Sequence, residues 1–224
     1  MKLKIILILQ TILVLSGYCA VKFQPLPIII KMVVSGLFVI SAFMLWKQRR
    51  TTYSKFAAFA MLFCFLGDLG TSGLIIGGLI ASMLFFGIAH VLFIITYVKT
   101  IKEYSGKIIN SGFIKGIAIY YIYFIVMWFV GIRFSGLGLV FLTGALIYGL
   151  LVSTMAALAW SLYKVNRSFF PAAVGGALFL FSDSIIALTK TVAFPCSDLV
   201  IIIPYFLGLF GILYANRINV VTAK

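Results

Sequence analysis

The sequence predicts an all-α membrane bundle, and two observations carry that reading. The first is composition: 64% of the 224 residues are hydrophobic and 10% are charged, with a mean hydropathy of +1.22. A soluble domain carries roughly 25% charged residues, so this chain lacks the polar surface to live in water. The second is patterning. The apolar residues come in runs near the length of about 20 residues that a helix needs to cross a hydrocarbon core. The 18 Lys and Arg fall in short clusters between those runs, as they do in the loops of membrane proteins. The net charge of +14 therefore does not mark a nucleic-acid binder, and no long basic run or RNA-binding signature is present. The basic loops suit anionic head groups, each charge contributing about 1 kcal/mol near the surface.

Taken in order, eight spans are predicted: 5–21, 26–46, 55–70, 73–98, 113–132, 136–163, 168–190 and 199–216. Their connections are short, which makes residues 1–224 one integral membrane domain. The first span, MKLKIILILQTILVLSGYCA, has the two lysines and apolar core of a secretory leader. Tyr18 stands where lipoprotein cleavage before Cys19 would need a small residue, so the reading is an uncleaved helix.

Basic residues give the orientation. Lys2, Lys4, Lys47, Arg49, Arg50, Lys55, Lys99, Lys102, Lys107, Lys115, Lys164, Arg167, Arg217 and Lys224 fall on one side, against Lys22, Lys31, Arg133 and Lys190 on the other. By the positive-inside rule both termini are expected in the cytoplasm, and an even number of spans follows. Gly73-x-x-x-Gly77, Gly112-x-x-x-Gly116 and the pair Gly175-Gly176 are the expected close helix contacts. Cys19, Cys64 and Cys196 have no paired spacing and suggest neither a disulfide framework nor a zinc site.

An ionisable residue at membrane depth marks a functional site by default. Three qualify: Asp68, His90 (the one His of the chain) and Asp183. Helical rise puts Asp68 about 20 Å from Lys55, His90 about 13 Å from Lys99 and Asp183 about 24 Å from Arg167. All three fall between the middle and the far half of a core of about 30 Å, where one cavity would hold them. One carboxyl group would then act as general acid while the other activates water. Competing roles are a helix cap for Asp68, in GDLGTSG, and a carbonyl-bonded core histidine for His90. Two Asp and one His would also ligate a metal, whereas a three-histidine site is impossible and no GxSxG motif occurs. Lys31 and Lys190 either snorkel to the outer interface or hold a lipid phosphate. Tyr205 opens the last span from the outer side and is a further candidate, with packing as its alternative; Ser182 precedes Asp183.

LGD at 66–68, GIAHVLF at 87–93 and GALFLFSDSIIALTK at 176–190 together resemble the YhhN-like family, the lysoplasmalogenase group of eight-span membrane proteins. Span count and motif order extend the resemblance over nearly the whole chain. It departs at Phe93, where the family often has Tyr, and after Tyr205, where a Gln is often found. The resemblance implies hydrolysis of the vinyl-ether bond of a lysoplasmalogen, a lysophospholipid, to a fatty aldehyde and a glycerophospho-head group. It implies Asp68 and Asp183 as acid and base, with His90 orienting water or relaying the proton. Lys31, Lys190, Tyr205 and Ser182 are then the expected substrate contacts. No cofactor and no metal are required, and the expected location is a bacterial cytoplasmic membrane. Two other classes fit the same ionisable residues: a proton-coupled transporter, or a non-catalytic lipid-binding subunit whose Asp and His face separate places.

Overall fold

A computed structural model describes residues 26–189, 191–192 and 197–215. These form seven long helices: α1 (Leu26–Arg49), α2 (Thr52–Thr71), α3 (Gly78–Glu103), α4 (Ser111–Val130), α5 (Leu139–Val165), α6 (Phe170–Leu188) and α7 (Ser197–Ala215). Short 3-10 turns at Ile132–Phe134 and Arg167–Phe169 lead into α5 and α6. Helix is what lipid demands, because every backbone N–H and C=O must find its partner inside the segment. Among the described residues, seven helices are long and apolar enough to cross a membrane. They match seven of the eight predicted spans; the first, 5–21, lies outside the described residues.

Local chemistry sets the helix ends. Thr51 and Ser54 cap α2 reciprocally, each side chain bonding the other residue's backbone N–H, which satisfies donors the helix itself cannot. Asn110 Oδ1 accepts from Gly112 N at 2.9 Å and Phe113 N at 3.1 Å to start α4. Its amide nitrogen also donates to Ser161 Oγ at 2.9 Å, fixing that start onto α5. The α2–α3 connection corrects one expectation. Gly73 and Gly77 do not form a helix contact; they take φ of 73° and 96° in the turn, a region that only glycine enters without strain.

The packing closes on itself. α1 lies on α2, α2 on α3, α3 on α5, α5 on α6, α6 on α7, and α7 returns to α1 and α2. α4 stands outside this ring against α5, so the parallel helices α3 and α5 are neighbours although α4 separates them in sequence. Small residues allow the close approaches. A Cβ on Gly116 would lie 2.9 Å from Ala157 Cα, and one on Gly175 would lie within 3.1 Å of Ile212 N. The contacts expected of Gly112, Gly116, Gly175 and Gly176 are thus present. Aromatic rings pack across the interior: Phe38 stacks on Phe206 across α1 and α7 at 5.8 Å. Tyr53 OH crosses from α2 to donate to the Ile212 carbonyl at 2.9 Å.

Helix direction alternates along the chain, so its loops sort to two ends. Lys47, Arg49, Arg50, Lys55, Lys99, Lys102, Lys107, Lys115, Lys164 and Arg167 gather at or near one end, with Lys31 and Arg133 toward the other.

Candidate active site

α6 enters the far half of the bundle with SDS at 182–184, and helical geometry turns the three side chains in different directions. Ser182 Oγ donates to the Ile201 carbonyl of α7 at 2.8 Å, in the turn where Pro204 withholds a backbone N–H. Ser184 Oγ returns to the Leu180 carbonyl of its own helix at 2.7 Å. Asp183 points instead toward α3 and α5. Its Oδ2 accepts from Tyr148 OH at 2.5 Å and lies 3.5 Å from His90 Nε2. The same phenol oxygen stands 3.0 Å from His90 Nε2. Tyr148 therefore bridges the carboxylate and the imidazole.

The phenol has one proton, and this limits the chain to two arrangements. If Asp183 is a carboxylate, Tyr148 donates to it and His90 Nε2 must carry a proton to donate to the phenol oxygen. If Asp183 is protonated, it donates to Tyr148, and Tyr148 donates to a bare Nε2. Moving two protons along the chain takes one off His90 Nε2 and puts one on Asp183, with the phenol intact throughout. His90 is fully buried, its ring edge-on to Phe179 at 4.8 Å, and its Nδ1 has no hydrogen-bond partner among the described residues. The hydrogen-bond contact that His90 makes among the described residues is thus through Nε2, toward Tyr148 and Asp183.

Asp183 and Tyr148 open on a cavity of about 70 Å³ between α3, α4, α5 and α6, on the side away from the basic loops. Phe86, Phe124, Met127, Phe141 and Leu180 are among its apolar walls, and Ser82 and Thr71 stand at its α2–α3 side. That volume admits a few waters. A carboxyl group aimed into apolar walls, with a proton chain behind it, can deliver a proton to a weakly basic atom that bulk water would not protonate well.

The second carboxylate has a different setting. Asp68 Oδ2 accepts from Ser35 Oγ at 2.5 Å and Tyr205 OH at 2.8 Å, and Oδ1 lies 3.3 Å from Lys31 Nζ. Lys31 Nζ also donates to Thr71 Oγ1 at 2.6 Å. The group joins α1, α2 and α7 and is paired at each oxygen, the condition under which a buried charge is tolerated. Asp68 is 1% exposed and does not line the cavity. Aromatic rings link the two groups: Tyr205 packs edge-on to Phe86 and Phe179 at 5.9 and 5.2 Å, and Phe179 meets His90.

A family model described as the YhhN family matches residues 7–216, nearly the whole chain. The chain belongs to the YhhN family. No curated protein and no solved structure matches it.

Within this YhhN chain, the residues singled out from sequence divide into two groups. His90 and Asp183 meet; Asp68, Lys31 and Tyr205 meet; Ser182 faces α7; and Lys190 lies outside the described residues. Asp68 does not cap the following helix, because its side chain is turned to α1 and α7. Among the described residues no three His, Cys, Asp or Glu side chains gather as a metal would need. Sequence reasoning passed over Tyr148. The available signal was its position about 13 Å into α5 by helical rise, too deep for the interfacial belt where tyrosine is common.

Proposed function

We propose that this YhhN-family protein is a membrane-embedded hydrolase of the vinyl-ether bond of a lysoplasmalogen. The observation that carries the reading is the Asp183–Tyr148–His90 hydrogen-bonded chain opening on an otherwise apolar cavity. The family's broad association with lysoplasmalogenase supports it.

The reaction needs a proton on carbon, and the site is built to supply one. In the proposed sequence the Asp183 carboxyl group protonates the vinyl carbon remote from the ether oxygen, leaving an oxocarbenium ion beside the new carboxylate. That negative charge stabilises the cation where little water competes. Water then adds to the carbon attached to oxygen and gives its proton to Asp183, forming a hemiacetal. The hemiacetal loses its hydroxyl proton as the glycerol oxygen gains one and the C–O bond breaks. One water is consumed, and fatty aldehyde and a glycerophospho-alcohol leave. Tyr148 and His90 share that returned proton with Asp183 along the hydrogen-bonded chain. Asp68, Lys31 and Tyr205 act as positioning residues, holding α1, α2 and α7 behind the Phe179–His90 contact. The basic end faces the cytoplasm by the positive-inside rule, with residues 5–21 as an eighth span and both termini inside. The cavity then opens toward the outer half of a bacterial cytoplasmic membrane.

The test is aldehyde release from a lysoplasmalogen by purified protein in detergent, wild type beside Asp183→Asn. Detergent removes the sealed compartment that transport requires, so aldehyde from wild type and not from the variant supports hydrolysis at Asp183. A folded wild-type protein that yields no aldehyde removes this substrate.

A further inference from the structure

A second depression, of about 450 Å³, runs down the lipid-facing seam between α3 and α5. Its rim is apolar and open: Leu84 and Ile147 are each 63% exposed. Its floor exists because two facing positions have no side chain. A Cβ on Gly87 would approach no nearer than 3.9 Å to Leu151, and one on Gly144 would lie 3.3 Å from Met83 Cε. The seam spans residues 80–91 of α3 and 140–151 of α5, about 16 Å of helix.

Exposed apolar surface is ordinary on a protein of this composition, but this groove differs in where it leads. Met83, Phe141 and Tyr148 line both the groove and the cavity that holds Asp183. These side chains are the partition between the two spaces, and one of them carries the hydroxyl bonded to Asp183. The phenol turns its oxygen inward and leaves its ring to the groove, so the groove offers a ligand hydrocarbon contact and little else.

We infer that the α3–α5 groove is the seat of the single hydrocarbon chain of a lysophospholipid, which enters sideways from the bilayer past Met83, Phe141 and Tyr148. The inference rests on the hydrolase reading above for what happens at Asp183, and on the groove alone for where the chain lies. The groove is a single trough lined by α3 and α5 alone, so it seats one chain and offers a second none, which selects a lysolipid over a diacyl lipid. The reacting bond is next to glycerol. The head group is therefore left on the cavity side of Met83, Phe141 and Tyr148, and the tail leaves laterally into the groove.

The experiment uses the full chain in lipid nanodiscs with a lysophospholipid carrying a diazirine on its chain. Labelled residues are mapped by mass spectrometry in wild type and in Gly87→Leu, which puts a side chain into the groove at a position where an added Cβ meets nothing nearer than 3.9 Å. Groove residues such as Leu84 and Ile147 are expected to label about tenfold more than Ile119 and Ile122 on the outer face of α4, a ratio equal to 1.4 kcal/mol of preference. That excess is expected to vanish in Gly87→Leu while its thermal unfolding stays near wild type. Equal labelling of groove and α4 face, labelling unchanged by a folded Gly87→Leu, or equal groove labelling by a diacyl probe each overturns the inference. Aldehyde assays on the same preparations separate the two readings. Groove labelling without turnover removes the reaction and keeps the site; turnover without groove labelling does the reverse.

Discussion

Tyr148→Phe isolates the proton chain from everything else in the site. The ring is retained, and with it the edge contact to His90 at 5.3 Å and the wall shared by cavity and groove. What goes is one hydroxyl, with its 2.5 Å bond to Asp183 and its 3.0 Å contact to His90 Nε2. A hydrogen bond to an ionised group is worth about 1.5–3 kcal/mol. If that difference is expressed in the transition state, the rate falls about 10- to 150-fold at 1.36 kcal/mol per tenfold. The loss is bounded because His90 Nε2 remains 3.5 Å from Asp183 Oδ2, close enough to share a proton poorly without the bridge. The effect is expected in kcat, with KM held by the unchanged walls, and the pH dependence of kcat is expected to change because His90 no longer communicates through the phenol. Aldehyde release by wild type and Tyr148→Phe across pH measures both. A variant with the wild-type kcat and the wild-type pH profile would refute the relay.

Other expectations follow from the same geometry. Asp183→Asn removes the group placed against substrate, so aldehyde release should fall further than in Tyr148→Phe, with the fold intact by thermal unfolding; a rate equal to that of Tyr148→Phe would contradict the acid role. Lys31→Met leaves the Asp68 carboxylate buried without its cation and should cost about 3 kcal/mol. The double variant Lys31→Met/Asp68→Asn should recover most of that loss in detergent thermal unfolding, and strictly additive losses would argue against the pair. Gly175→Ala drives a methyl group toward the Gly208 carbonyl at 2.5 Å, backbone against backbone, and overpacking of this kind costs about 1–3 kcal/mol; an unchanged melting temperature would show that α6 and α7 are not so close. In a cysteine-free background, a membrane-impermeant thiol reagent added outside should label Arg133→Cys and spare Lys107→Cys, and the opposite pattern would invert the orientation.

The helical architecture could be read from the chain because lipid removes the alternatives. Long apolar runs between basic clusters have one backbone solution, and seven of the expected spans appear with ends shifted by a few residues. The caps explain some of those shifts: Thr51 with Ser54 starts α2 before the apolar run does, and Asn110 starts α4 likewise. The glycine signals were mixed. GxxxG in GFIKG marks a real contact between α4 and α5, whereas the same spacing at Gly73 and Gly77 belongs to a turn. Spacing alone does not distinguish a glycine that admits a neighbour from one that admits a positive φ.

Which residues are ionisable and buried follows from sequence, since a handful of charges in so apolar a chain can be counted and placed on spans. Which of them meet does not. Rise along each helix put His90 about 13 Å and Asp183 about 24 Å from their loops, yet the two side chains lie 3.5 Å apart. Each depth was measured along its own axis from its own loop, and only packing sets the levels of those axes relative to one another. The same packing gave Asp68 to Lys31 rather than to Asp183 and placed α3 beside α5 instead of α4. It thereby put Tyr148, one apolar-run tyrosine among many, between the histidine and the acid. Composition decides that this chain enters the membrane, because that is a sum over residues; the site was decided by tertiary structure, because it depends on pairs.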